Sequence, residues 1–253
     1  MAYEEPRQKL PEGVFRATLR RGAFAVYVPE SYEPNYAYPV VILLHNRGAN
    51  ENQMTRLAPR LSRRNYIAIS LRGTDRIGLR RSGRAAYSWS QYAAHELGAD
   101  AMHRLQNALA CATRSARYLD DYVAEVLELL GEDLNLDRER VYLLGYGEGA
   151  AAALRLALGS PARYAGVVAL NGWLPAVRGP WLRWPEARRL RALILHGAAN
   201  DRVPPDESLR IAKLLYTAGL DVQFRLVPGS HRINRTMLAL ANRWLIAGCR
   251  HPA

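Results

Sequence analysis

The stretch Val141-Tyr142-Leu143-Leu144-Gly145-Tyr146-Gly147-Glu148-Gly149-Ala150-Ala151-Ala152-Ala153 passes from apolar residues of strand character, through three alternating glycines, into an alanine-rich helix former. A strand can hand over to a helix across so short a connection only where the two elements nearly touch. Flanking glycines remove the Cβ atoms that would hold them apart. Such a turn belongs to layered folds in which a helix packs back onto the sheet its own strand has just entered, and this restricts the chain to α/β architectures.

The rest of the chain repeats that rhythm. Val14–Arg20 and Ala23–Pro29 read as two strands joined at Arg21-Gly22, an antiparallel edge. Tyr38–Leu44 is a continuous apolar, β-branched run, the pattern of a strand buried on both faces of a mainly parallel sheet. A helix over about 51–63, a strand over 66–71 and a long loop through Gly73, Gly78 and Gly83 follow, then a helical stretch over about 93–130. Beyond the strand at 140–146 come a helix over 149–158, strands over 164–170 and 191–196, a helix over 206–218, a strand over 222–227 and a closing helix over about 234–247. Strands alternating with helices predict a mainly parallel central sheet with helices on both faces, with active groups on loops at the carboxyl ends of the strands. At 253 residues the expectation is one domain, 1–253. Residues 1–12 are expected to form a flexible arm, and 72–120 a cleft-bordering loop and helical segment.

Composition narrows the function classes. The polar opening, with charges of both signs, has no signal-peptide h-region, and the longest apolar runs are too short for a membrane span. Two cysteines, Cys111 and Cys249, have neither metal-ligand spacing nor a disulfide framework, which fits a reducing, cytoplasmic setting. The net charge of +12 is almost entirely arginine and is spread along the chain. Without a nucleic-acid motif, a general preference for arginine over lysine accounts for it better than nucleic-acid binding does. One local cluster, Arg72, Arg76, Arg80, Arg81 and Arg84, shares a glycine-punctuated loop. It reads either as a solvated basic loop or as a site that takes a carboxylate or phosphate through bidentate contacts. His95 and His103 lie two helical turns apart without an accompanying carboxylate, so no metal or cofactor is expected.

Three strand ends carry chemistry. Gly145–Gly149 has the G-x-S-x-G frame with glycine at its centre, His196–Pro204 is an acid-bearing loop, and Gly229-Ser230-His231 comes last. Nucleophile, acid, histidine is the chain order of α/β-hydrolases. Over about 40–245 the chain resembles the phospholipase/carboxylesterase family, which includes the acyl-protein thioesterases. Leu44–Glu51 is similar to the family's L-H-G-x-G-x-N-E oxyanion loop, Tyr87-Ser88-Trp89 to its aromatic segment, Leu144–Ala150 to its L-G-F-S-Q-G-G elbow and Ala165–Pro175 to A-G-V-V-A-L-S-G-W-L-P. The resemblance implies an α/β-hydrolase fold with His231 at the base position. It also implies oxyanion-hole N–H groups on Arg47 and Glu148, and a cleft bordered by Trp89, Trp173, Leu174, Arg80 and Arg81, extending to Trp181 and Trp184.

The departures concentrate at the chemistry. Acyl transfer needs a nucleophile, an imidazole to take its proton and a carboxylate to orient the imidazole. Gly147 supplies no nucleophile. In the acid's column stands Asn200, with Asp201 one residue beyond: either Asp201 shifts to reach His231, or the acid is gone, leaving Asp201 as a helix N-terminal charge. Asn46 replaces a glycine of the oxyanion loop, where a Cβ resists the required backbone shape. Glu148 reads as a carboxylate favoured by the helix N-terminus or as a group acting directly on water. Two accounts follow. In one, the chain has lost covalent catalysis and serves as a binding or scaffold protein for an ester-like or anionic ligand. In the other it is an active ester or thioester hydrolase that uses an activated water or a displaced nucleophile such as Ser88, Ser230 or Cys111.

Overall fold

Strand β3 (Tyr38–Leu44) is buried at every residue, as its unbroken apolar run requires of a strand covered on both faces. In the computed structural model, which describes residues 13–89, 117–174 and 184–250, β3 pairs in parallel with β4 (Ile67–Leu71) and β7 (Leu136–Tyr146). The parallel array continues through β8 (Gly166–Leu170), β9 (Arg191–Gly197) and β10 (Asp221–Val227). At the other edge β1 (Gly13–Leu19) and β2 (Gly22–Val28) form the expected antiparallel hairpin, and β2 joins β4. The strand order is β1-β2-β4-β3-β7-β8-β9-β10.

Successive residues of each central strand point to opposite faces, and each face has its own apolar layer. Ile42 and Leu44 join Val141 and Leu143 beneath the helix over 117–130 (α3), α4 (Glu148–Gly159) and α6 (Pro205–Thr217). Val41 and Leu43 join Tyr142 and Leu144 beneath α1 (Glu51–Thr55), α2 (Ala58–Leu61) and α7 (Arg235–Arg250). The short α5 (Trp184–Ala187) precedes β9. Among the described residues no helix is long and apolar enough to cross a membrane.

Two local expectations are corrected. The predicted helix over 51–63 is two helices, because Pro59 sits at the start of α2, where its missing N–H costs nothing but its ring cannot extend α1. The predicted loop over 73–84 contains a strand, β5 (Asp75–Leu79), which pairs antiparallel with β6 (Ala85–Ser88). The register shift between Arg76 and Gly78, with Gly78 at φ 138°, hides its period-two pattern. The arm at 1–12 and most of the segment expected at 93–130 lie outside the described residues, as do His95, His103, Cys111 and Trp181.

Candidate active site

The parallel strands end together along one edge of the sheet, and the residues singled out above follow those ends: His45 after β3, Gly147 after β7, Asn171 after β8, His196 and Gly197 at the end of β9, His231 after β10. Strand β7 meets α4 at a sharp turn. A Cβ at Gly145 would strike the backbone of Gly149 and Ala150, and one at Gly149 the carbonyls of Leu44 and His45, so the flanking glycines are demanded by contact. Gly147 caps the helix with φ 58° and ψ −117°, a conformation that costs a residue with a side chain of order 1–3 kcal/mol.

The structure brings the backbone N–H groups of Arg47 and Glu148 to one point. That point is occupied by the side-chain oxygen of Asn46, which accepts from Arg47 N at 2.8 Å and Glu148 N at 3.0 Å. Two N–H donors on one atom identify it as the carbonyl oxygen, so the amide end is Nδ2. Nδ2 lies 3.2 Å from His231 Nε2. A Cβ built on Gly147 would overlap Asn46 Oδ1, lie 2.6 Å from Cγ and 3.0 Å from Nδ2. The Asn46 carboxamide therefore fills the space that a side chain at position 147 would need. Asn46 does so without backbone strain, correcting the expectation for that position: Ser31 and Asn171 are the described non-glycine residues with positive φ.

The backbone of Asn46 is fixed independently of its side chain. Its N–H donates to Gln53 Oε1 at 2.9 Å, and its carbonyl accepts from Ala49 N at 3.1 Å and His45 Nδ1 at 2.8 Å. His45 in turn accepts at Nε2 from Gly73 N at 2.8 Å. These bonds settle its neutral tautomer, and burial lowers its pKa to about 4. The loop is also clamped to the β5–β6 hairpin through Gly48 N to Tyr87 O and Tyr87 N to Ala49 O, each 2.8 Å.

His231 is 6% exposed and tilts over the Tyr146 ring at 5.3 Å between centroids. Because Nε2 accepts from Asn46, the proton belongs on Nδ1, which is buried and has no hydrogen-bond partner among the described residues. Burial pushes the imidazole below its ordinary pKa. Arg202 and His196 push in the same direction, and Asp201 opposes them weakly. Asp201 is exposed. Asn200 is buried and faces another histidine: its Oδ1 accepts from Arg202 N and Val203 N at 3.1 and 3.2 Å, which turns Nδ2 toward His196 Nε2 at 3.0 Å. The same Nε2 lies 2.9 Å from Val203 O, while Nδ1 lies 2.6 Å from Ser208 Oγ, which donates to Gly172 O at 3.1 Å. Desolvation lowers the pKa of His196 as well.

Asn171, a residue whose role the sequence did not disclose, binds three strand ends together. It is fully buried at φ 51°, donates from Nδ2 to His231 O at 2.7 Å and accepts at Oδ1 from Gly197 N at 2.8 Å. Its left-handed conformation is one that Asn tolerates better than most side chains, a hint available from residue type alone.

The remaining expected site residues divide between core and surface. Glu148, 1% exposed, accepts from Ser88 Oγ at 2.9 Å and Trp89 N at 3.0 Å and pairs with Arg47 at 3.3 Å, so its carboxylate is spent beneath the loop. Trp89 is fully buried with its indole N–H on His45 O at 2.8 Å, Leu174 is buried, and Trp173 is half-buried. Arg80 and Arg81 are exposed at the turn of the β5–β6 hairpin, with Arg76 and Arg84. Arg72 turns inward to a bidentate pair with buried Glu51, both contacts 2.7 Å. Ser230 is exposed, and among the described residues no cluster of His, Cys, Asp and Glu is placed to hold a metal.

Comparison with known proteins gives consistent findings. A family model described as phospholipase/carboxylesterase matches residues 30–247. A protein of Oryza sativa subsp. japonica described as a probable carboxylesterase is 29% identical over 109 residues, covering 42% of this chain and 41% of that relative's length. Among solved structures, a carboxylesterase from Mesorhizobium loti superimposes with a TM-score of 0.70 at 19% identity, over 91% of this chain and 98% of its own. The acyl-protein thioesterase 2 of Zea mays does so with a TM-score of 0.66 at 22% identity, over 90% and 99%. At such identities the likeness establishes the fold, that of the α/β-hydrolases.

Proposed function

The chain belongs to the phospholipase/carboxylesterase family, and from that premise we propose that it has left covalent serine catalysis and acts as a ligand-binding α/β-hydrolase. The observation that carries this reading is the Asn46 carboxamide. Its oxygen takes both backbone N–H groups that would stabilise a tetrahedral oxyanion, and in this position it occupies the volume that a side chain at 147 would need. Gly147 and Asn46 thus fit each other: a serine at 147 and an asparagine at 46 would compete for one volume. The alternative nucleophiles are poorly served, since the Ser88 hydroxyl is bonded to Glu148 and Ser230 stands exposed. Among the described residues no carboxylate meets His231 Nδ1, so the ring lacks there the partner that would stabilise its protonated form.

Fluorophosphonate labelling and turnover of short p-nitrophenyl esters test this together. The protein is expected to be silent in both, and Gly147→Ser alone is expected to remain silent because the new side chain meets Asn46. Gly147→Ser with Asn46→Gly is expected to be labelled, while ester turnover stays low, on the order of 10⁴-fold below that of a complete triad, because among the described residues no carboxylate orients His231. Saturable ester turnover by the unmodified protein, abolished by His231→Ala, would overturn the proposal.

A further inference from the structure

The Asn46 side chain is arranged as a guest is arranged in a binding site. Both ends of its carboxamide are met: Oδ1 by Arg47 N and Glu148 N, Nδ2 by His231 Nε2. Its backbone is held by Gln53, His45 and Ala49 through bonds that do not involve the side chain, so the cradle does not depend on the guest for its shape. The cradle combines two converging N–H donors with an imidazole nitrogen whose ring is buried and whose other nitrogen has no partner among the described residues.

We propose that the Asn46 carboxamide is a built-in surrogate for an external ligand, and that the cradle of Arg47 N, Glu148 N and His231 takes primary carboxamides once that side chain swings out. The ligand class follows from complementarity. Two N–H groups require an acceptor, which a carbonyl supplies. A neutral Nε2 requires a donor, which an amide NH₂ supplies and a carboxylate does not: a carboxylate would set an anionic oxygen against a lone pair until His231 gains a proton. The groups facing His231 are Arg202 and Asp201 of the neighbouring loop, His196 at the end of β9 and Tyr146 at the end of β7. Burial, Arg202 and His196 favour its neutral form at neutral pH. The inference rests on the non-catalytic reading above, but its test contains no ester and no nucleophile.

Asn46→Ala empties the cradle. Butyramide is expected to bind this variant at least about tenfold more tightly than the unmodified protein, by removal of an intramolecular competitor. Its binding should shift the ¹H–¹⁵N signals of Arg47 and Glu148. At pH 8 butyramide should outcompete butyrate about tenfold, since butyrate forgoes the hydrogen bond to the buried imidazole, and the gap should close as the pH falls through the His231 titration. Folded Asn46→Ala that binds neither probe, or binds both alike at pH 8, overturns the proposal. Asn46→Asp, which preserves shape, supplies a second measurement should the alanine variant fail to fold. Its carboxylate beside His231 should raise the histidine's NMR-measured pKa by about 1–3 units, and an unmoved titration overturns the proposal as well. Ester turnover in the unmodified protein would instead sink the earlier reading, so the two failures are distinct.

Discussion

His45 shows how a single residue holds the loop that carries the candidate site. Its ring is fully buried, with Nδ1–H given to Asn46 O and Nε2 receiving Gly73 N–H, so a second proton has no acceptor to face. The folded pKa of about 4 lies below the ordinary value of about 6.5 for an unfolded chain. A depressed histidine pKa means that the unfolded chain takes up the proton first. Stability is therefore fully present above about pH 6.5 and falls as the pH drops toward 4. At about 1.4 kcal/mol per unit this interval is worth roughly 3 kcal/mol. Urea denaturation from pH 7 to 4 should show that decline, and His45→Gln should flatten it. At the same scale, the identities of Asn46, Gly147, Asn200 and His231 were all legible in the chain as departures from, or matches to, a hydrolase pattern. That Asn46 reaches both position 147 and His231 was not legible, because those contacts span 101 and 185 positions and depend on how three strand ends converge.

Among the elements, α1 explains why Asn50 and Glu51 follow the oxyanion loop. Asn50 caps the helix by accepting from Asn52 N at 3.2 Å, and Glu51, 3% exposed, receives the bidentate Arg72 from the end of β4. Arg72 also lies over the Tyr87 ring at 5.0 Å, so the pair ties α1, β4 and the β5–β6 hairpin together. Arg72→Ala would leave a buried carboxylate unpaired and should lower unfolding stability by about 3 kcal/mol, as measured by chemical denaturation. Arg72→Lys, unable to bond in bidentate fashion, should recover only part of that loss. The main strands could be read from their apolar runs because burial on both faces leaves a compositional mark. β5 could not, since its residues are mostly exposed and its register is broken beside Gly78. Arg72, grouped by sequence with its neighbouring arginines, belongs to the core pair rather than to the exposed hairpin, a distinction that only the direction of the strand decides.

For the molecule as a whole, 35 basic residues against 23 acidic ones give a net charge of +12, whose self-repulsion acts against the compact state. Raising ionic strength from about 0.01 M to about 0.1 M shortens the screening length from roughly 30 Å to roughly 10 Å. The melting temperature at neutral pH should accordingly rise by a few degrees, a trend that scanning fluorimetry in sodium chloride can follow. A fall over that range would show that the ion pairs, such as Arg21 with Glu125 and Arg163 with Asp120, outweigh the net repulsion. The layered sheet was foreseeable from strand–helix alternation, whereas the lateral bonding across its carboxyl edge was not. Asn171, reaching Gly197 on one side and the His231 carbonyl on the other, links the ends of three neighbouring segments through one rigid side chain. Such a crosspiece removes a degree of freedom: the ends of β8 and β9 and the start of the His231 loop cannot spread separately, so their spacing along that edge is fixed.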